Sequence, residues 1–448
     1  MKYVCKTCGF IHLGEMPDGY VCPYCASGLF DFELIQSEEK VYNRIAITDK
    51  LGINRIEEKC INCGACARTC ENVMQISAEQ KEICLSCGAC ILTCPVAALT
   101  PKYDYLKLYD LLKDKTKKVI GIVSPAVRVG LGDAFNQEAG EFLEKKIVGV
   151  LKALGFSYVF DVSFGADLTA MEEAKELLDR IENKKGTLYS SCCPSWVMYA
   201  KKYLPKLKTS ISTCKSPIEM MSSMLKNYYL KDENISLDDV FVVAITPCTS
   251  KKVEILGGDT DMVITTSELA NMIREFGIVF EDVKEENFDN FAGTKAGTRF
   301  GKSGGVTLSV LKCLYYFKTG KDLDNNEVYI KDNKFYKEYK LKMGKTNVRC
   351  ASVSTMKNLL ALLMQEEDFD FVEVMNCDGG CISGGGQVIM PVNQKQEIME
   401  ARRKSLELNT RRRESYPYKN VIIKDLYDDF LDDAENAEKL LHKKTRLN

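Results

Sequence analysis

Histidine is almost missing from this chain: among 448 residues only His12 and His442 occur, one near each end. Nothing between them offers an imidazole, so chemistry in the middle is expected to run on Cys, Glu, Asp, Ser, Lys, Arg or a bound group. Charge of one sign is lacking too. The 61 Lys and Arg stand against 63 Asp and Glu, a formal net charge of −2, which gives no reason to expect a nucleic-acid partner. Long hydrophobic runs are absent as well. Stretches such as Val240 to Ile245 are far too short to span a bilayer. The opening MKYVCKTCGF has no basic stretch leading into an apolar one, so no signal peptide and no membrane association are expected, and the location expected is cytoplasmic.

Cysteine, by contrast, is abundant. There are 20, and twelve of them fall in the first 94 residues at metal-ligand spacings. In a cytoplasmic protein such spacings argue for metals rather than disulfides. The length suggests two to four domains. Residues 1–36 carry Cys5-x2-Cys8 and Cys22-x2-Cys25; residues 37–52 read as a linker; residues 53–100 carry eight cysteines in two copies of one pattern. Residues 101–400 hold the remaining eight, widely scattered, and residues 401–448 form a charged helical tail beginning near Arg411-Arg412-Arg413. That basic run reads as a solvated or docking face.

The large region alternates short β-branched runs with longer amphipathic stretches. The runs are Val119–Val123, Tyr158–Val162, Thr187–Ser190, Val240–Ile245, Val263–Thr265 and Phe371–Met375, and Ala170–Asn183 is one of the amphipathic stretches. This alternation predicts an α/β domain with largely parallel sheets. Pro125, Cys192-Cys193-Pro194, Pro247-Cys248 and Cys377 follow four of these runs. Ligands in open α/β sheets sit beyond the carboxyl ends of strands, so cysteines from remote segments are expected to converge on one site between lobes.

The two copies, Cys60-x2-Cys63-x2-Cys66-x3-Cys70 and Cys84-x2-Cys87-x2-Cys90-x3-Cys94-Pro95, fit the two-cluster [4Fe–4S] pattern of a small α+β ferredoxin-like module. In that pattern the fourth cysteine of each run crosses to the other cube. One cluster is expected on Cys60, Cys63, Cys66 and Cys94, the other on Cys84, Cys87, Cys90 and Cys70. A zinc module is the bland alternative, and it rarely doubles its spacing in this way. Glu71 departs from the pattern, since proline usually follows the fourth cysteine. YVCKTCGF and PDGYVCPYC resemble the two knuckles of rubredoxin. A tetrahedral set on Cys5, Cys8, Cys22 and Cys25 suits one mononuclear iron or zinc ion. Cys313 and Cys350 read as buried small hydrophobes. The glycine-flanked CDGGCISGGGQ and the polar turn SSCCP do not, because paired glycines suggest close backbone approach to something bulky.

SSCCPSW, TPCTSKKVE and EVMNCDGGCISGGGQ resemble, in order, the three active-site signatures of [FeFe]-hydrogenases. FGADLTAMEE, ISTCKSP, FGKSGGV and the tail pattern LY-x2-FL…LLH resemble that family too, so the similarity runs from residue 53 to 448. The rubredoxin-like start points to its group B branch. The resemblance implies an H-cluster, a [4Fe–4S] cube joined to a diiron subsite with CO, cyanide and a bridging dithiolate. Cys193, Cys248, Cys377 and Cys381 would hold the cube, with Cys381 bridging to the diiron unit. Cys192 would pass protons to the dithiolate amine. Ser124, Pro125 and Lys251 would contact the cyanides, and Met375 would pack beside the irons. The implied proton path is Cys192–Glu173–Ser212–Glu176–Arg180. Read from spacing alone, Glu173, Glu176 and Arg180 would be a solvated helix face.

Such an enzyme interconverts H2 with protons and electrons, exchanges electrons with a carrier protein such as ferredoxin, and needs maturation proteins for its diiron subsite. Thr246 stands where most characterised members have methionine, and Ile218 where glutamine is usual; both alter the pocket expected around the diiron unit. Two other classes compete with this reading. One is a non-catalytic hydrogen or redox sensor, or an assembly protein of similar fold, expected to lose the bridging cysteine or the proton thiol. The other is a plain iron–sulfur electron carrier.

Overall fold

The computed structural model of the protein describes residues 2–5, 11–13, 15–21, 28–34, 52–76, 84–114, 117–233, 235–365, 367–390, 393–411 and 416–443. Cys8, Cys22 and Cys25 lie outside these residues, and so therefore does the expected mononuclear site; residues 37–51 of the expected linker lie outside them too. Near the start, strands β1 (Lys2–Cys5), β2 (Ile11–Leu13) and β3 (Phe32–Leu34) form a small antiparallel sheet in the order β2-β1-β3. Strands β4 (Ile53–Arg55) and β5 (Leu99–Pro101) then pair antiparallel and bracket the doubled cysteine pattern.

The large region is built on two sheets. The first contains β6 (Lys118–Val123), β7 (Tyr158–Asp161), β9 (Val240–Thr246) and β10 (Met262–Thr265) in the order β10-β9-β6-β7, every pairing parallel. Alternation along its strands feeds two cores. Ile120, Ile122, Val242 and Ala244 pack on one face, and Val119, Val123, Val243 and Ile245 on the other. Parallel strands covered on both faces carry near-continuous apolar runs, which is why these were legible.

The second sheet runs β11-β12-β13-β14-β8, with β8 (Leu188–Tyr189), β11 (Tyr329–Asp332), β12 (Lys337–Met343), β13 (Thr346–Ser354) and β14 (Phe371–Met375). Pairings β13–β14 and β14–β8 are parallel, whereas β11–β12 and β12–β13 are antiparallel. The sheet is therefore mixed, and its antiparallel edge was not anticipated.

Strand order places the site. The chain leaves β6 for β7 on one side and returns through β9 on the other, so the topology switches between β6 and β9. A crevice opens beyond the carboxyl ends of those two strands. The helix after β7 runs Val162–Glu182, eight residues earlier at its start than the sequence pattern suggested. Asp161 caps it, accepting from the Ser163 amide at 2.7 Å, and the fully buried Arg128 pairs with Asp161. A cap satisfies helix-end amides that apolar periodicity does not register.

In the tail, the helix Lys395–Arg411 crosses the expected boundary at residue 400, and helices Val421–Asp429 and Ala434–Leu441 follow. Among the described residues no helix is long and apolar enough to cross a membrane.

Candidate metal centre and proton path

One cavity lies where the carboxyl ends of both sheets meet. Ser124 and Pro125 enter it from the end of β6, Thr246, Pro247 and Cys248 from β9, and Met375, Asn376 and Cys377 from β14. Cys192 and Cys193 follow β8, and Cys381 and Gly384 come from the glycine-rich turn beyond β14. Lys251, Ile218 and Pro217 complete the named part of its wall. Nine expected residues therefore share one cavity: Cys192, Cys193, Cys248, Cys377, Cys381, Ser124, Pro125, Lys251 and Met375. So do the two departures, Thr246 and Ile218.

The glycines of the third motif are there for space. A Cβ on Gly384 would stand 2.3 Å from the Pro247 carbonyl oxygen, and one on Gly380 (φ +98°) would stand 2.5 Å from the Ser303 amide. Glu373 fastens the opposing loop: buried in β14, it accepts from the Gly304 amide at 2.7 Å and the Thr307 amide at 2.8 Å. Arg402, fully buried, donates to the Ile382 carbonyl at 2.7 Å and pairs with Asp133, holding the same turn from the tail side.

The donor set suits an iron–sulfur group. Burial, first, and then the neighbouring Cys193 thiol push Cys248 up to about 11. Burial and the Cys248 and Cys193 thiols push Cys381 up to about 12, and Cys377 is raised for the same reasons. Four thiols that suppress each other's ionisation are relieved by a cationic cluster that takes them as thiolates. Backbone amides already point at the sulfurs, those of Trp196 and Asn376 at Cys193 and those of Ser250 and Lys251 at Cys248. Amide donation to sulfur is one of the levers that set cluster potential.

Lys251 stays an ammonium. Burial would lower its pKa, but Glu254 at 2.6 Å outweighs burial and raises it. It also donates to the Cys192 carbonyl at 3.1 Å, which leaves one N–H of three.

Glu173 is fully buried on the helix Val162–Glu182. Its Oε1 accepts from the Ser191 amide at 2.9 Å, and its Oε2 has no partner among the described residues. Burial pushes it up to about 8, against the lowering effect of the Ser191 amide. Glu176, one turn on, accepts from the Thr213 amide at 3.0 Å and from the Thr213 and Ser212 hydroxyls. Arg180 is placed elsewhere: it clamps the Thr209 carbonyl at 2.6 Å and those of Lys185 and Thr187. The cation beside Glu176 is His442, whose Nδ1 lies 3.6 Å from Oε1. The expectation that no imidazole reaches the middle of the chain is therefore corrected. A bridge pairs His442 with Cys214, so the tail folds back over more than 200 residues. Its tail pattern LLH was the one signal in the sequence.

Two smaller cavities hold the doubled cysteine pattern. Cys60, Cys63, Cys66 and Cys94 line one, and Cys70, Cys84, Cys87 and Cys90 line the other. The second packs against the large site. Gly88 and Gly385 meet so closely that a Cβ on Gly88 would lie 2.8 Å from the Gly385 Cα, and the Ser250 hydroxyl donates to the Leu85 carbonyl at 2.7 Å. Asn376, buried, donates from its side chain to Cys87 and from its backbone to Cys193, linking the two sets of sulfurs. Asn376 and Glu373 lie inside the quoted motif EVMNCDGGCISGGGQ, but nothing in the sequence assigned either of them a role.

Fold and site together define an α/β iron–sulfur protein with a thiol-lined centre at a topological switch point. A family model described as the iron-only hydrogenase large subunit, C-terminal domain, matches residues 117–385, and the chain belongs to that family. It is similar to iron hydrogenase 1 of Clostridium pasteurianum, 35% identical over 364 residues, covering 73% of this chain and 63% of that protein. The periplasmic [Fe] hydrogenase large subunit of Nitratidesulfovibrio vulgaris is 34% identical over 386 residues, 80% of this chain and 92% of its own. Protein NAR1 of Arabidopsis thaliana also matches, 27% identical over 477 residues, 96% of this chain and 95% of its own. Among solved structures, an E141A variant of the [FeFe]-hydrogenase HydA1 from Chlamydomonas reinhardtii superposes with a TM-score of 0.68 at 29% identity, covering 76% of this chain and 98% of its own.

Proposed function

We propose that this protein is an [FeFe]-hydrogenase, interconverting H2 with protons and electrons. The observation that carries the reading is the single cavity shared by four cluster-type cysteines and a fifth, Cys192, beside them. An electron carrier needs the four and has no use for the fifth. The H-cluster, when bound, supplies the hydrogen chemistry; the residues supply binding, electron access and protons. Cys193, Cys248, Cys377 and Cys381 hold the cube. Lys251, Ser124, Pro125 and Met375 line the same cavity and would contact the diiron subsite. Cys192 hands protons between the centre and Glu173. Cys60, Cys63, Cys66 and Cys94, and Cys70, Cys84, Cys87 and Cys90, would each hold a cluster that supplies electron access to this centre, with Asn376 between the second set and the large site. A mononuclear iron or zinc ion on Cys5, Cys8, Cys22 and Cys25, a ferredoxin-type carrier, maturation proteins and a cytoplasmic location complete the proposal.

A match to the cytosolic Fe-S cluster assembly factor narfl of Danio rerio, 28% identical over 73% of this chain and 85% of its own, sustains a second reading, a non-catalytic iron–sulfur role. Infrared spectroscopy of protein matured with the diiron subsite separates the two, because metal-bound CO and cyanide absorb where proteins do not. Such bands together with H2 turnover are expected; three cubanes at most, without those bands, would refute the hydrogenase reading.

A further inference from the structure

The end of the proton path that faces solvent is made by the tail. His442 is buried with both ring nitrogens engaged. Nε2 lies 3.0 Å from Glu172 Oε2, and Nδ1 lies 2.8 Å from the Thr213 hydroxyl and 3.6 Å from Glu176 Oε1. Main-chain bonds fix its position: the Lys215 amide donates to the Leu441 carbonyl at 2.7 Å and the Lys443 amide to the Thr213 carbonyl at 2.8 Å. Beyond the ring a pocket is lined by Glu172, Asp428, Asp432, Glu438, Lys175 and His442 itself. Arg180, meanwhile, spends its guanidinium on three backbone carbonyls.

We infer that His442 is a proton-relay residue that connects Glu176 to this acidic pocket, the solvent-end role that the family resemblance assigns to Arg180. The inference rests on the hydrogenase reading. For a proton moving inward, the imidazolium gives its Nδ1 proton to Glu176, either directly or over the Thr213 hydroxyl. In the second case Thr213 passes its own proton to Oε1 as it accepts the ring's. The neutral ring keeps its Nε2 proton, so uptake occurs at Nδ1: the ring turns about its Cβ–Cγ bond, Nδ1 takes one proton from pocket water, and the return turn restores the imidazolium, one proton having been carried per passage. The surrounding acidic side chains favour that uptake.

Titration of His442 reflects every group around it. From the helix Val162–Glu182 come Glu172, bonded also to Lys175 and Tyr427, and Glu176; from the facing segment come Thr213 and the Cys214 thiol at 4.0 Å; from the tail come Asp428, Asp432 and Glu438, while the Lys443 ammonium turns away to Glu254. Burial opposes the charge on His442, yet the hydrogen bonds to Glu172 and Glu176 outweigh it and raise the ring to about 9. Glu172 is held down at about 2 despite its burial, chiefly by the His442 bond. The imidazolium is thus the resting state at neutral pH.

The chain has only two histidines, so two experiments test this cleanly. In the first, 15N-histidine-labelled oxidised holoprotein is titrated by NMR. One ring is expected to titrate well above the ordinary value of about 6.5, to disappear in His442→Gln, and to fall toward that value in Glu176→Gln. A His442 ring titrating near 6.5 in the wild type overturns the inference, and because this readout needs no H2 turnover, its failure is told apart from failure of the hydrogenase reading. In the second, His442→Ala in matured enzyme is expected to lose at least ~10-fold in H2 turnover. Added imidazole should restore part of the loss through the open pocket, with a pH profile that follows the imidazole pKa. A variant whose rate and pH profile match wild type overturns the relay; so does a loss with normal infrared bands that imidazole leaves untouched.

Discussion

Replacing Glu173 with glutamine keeps the shape and the Oε1 acceptor that Ser191 uses but removes the one proton this side chain can pass. Glu173 is fully buried and its pKa is pushed up to about 8 from 4.5. At pH 7 about nine in ten copies therefore carry the proton, close to the balance a relay needs. A positioned proton-transfer group contributes at least ~100-fold, which corresponds to about 2.7 kcal/mol on the barrier. Glu173→Gln is expected to lose that much H2 turnover while its CO and cyanide bands stay in place. The sign of the stability effect is also set. A folded-state pKa above the unfolded one means that the folded protein binds the extra proton, so stability falls as pH rises from about 4.5 to about 8. The full fall is at most about 5 kcal/mol, at 1.36 kcal/mol per pH unit. The variant lacks this slope. Against it stands an amide N–H2 placed where Oε2 has no partner, a cost of about 1–3 kcal/mol. Infrared difference spectra should show a protonated carboxyl stretch in the wild type that titrates away through about pH 8 and is missing in the variant. Wild-type turnover in Glu173→Gln, or a carboxyl already ionised at pH 6, would refute the reasoning.

Other substitutions separate the remaining roles. Cys192→Ala should nearly abolish turnover with iron content unchanged, whereas Cys193→Ala should lose cluster iron, as metal analysis and Mössbauer spectra would show. Asn376→Ala removes a donor to Cys87 and should lower the reduction potential of the cluster on Cys70, Cys84, Cys87 and Cys90, since donation to sulfur favours the reduced, more negative state; an unshifted potential in an EPR-monitored titration would count against the link. Glu373→Ala unpairs the Gly304 and Thr307 amides, each costing about 1–3 kcal/mol, and should lower the thermal midpoint and the iron retained on Cys377 and Cys381.

What the sequence by itself determined is which cysteines fall together and the class of fold. Cysteine spacing is local: Cys-x2-Cys-x2-Cys wraps a cube wherever it is put, and buried parallel strands must be apolar on both faces. Hence β6, β9 and β14 were found within a residue of their observed ends, and the doubled cysteine pattern divides between two cavities along the crossover its spacing implies. Tertiary structure alone decided the rest. The antiparallel meander β11–β13 is charged and half exposed, with Tyr329–Asp332 open to solvent along its whole length, so its alternation carries little apolar signal. Glu373 and Asn376 matter only because β14 lies beside the loop at Gly304 and the sulfur of Cys87. His442 stands 266 residues along the chain from Glu176, and no local pattern tells that the two meet. That contact exists because the last helices pack against the helix Val162–Glu182 and the bridge from Cys214 to His442 closes the fold over Glu172 and Glu176.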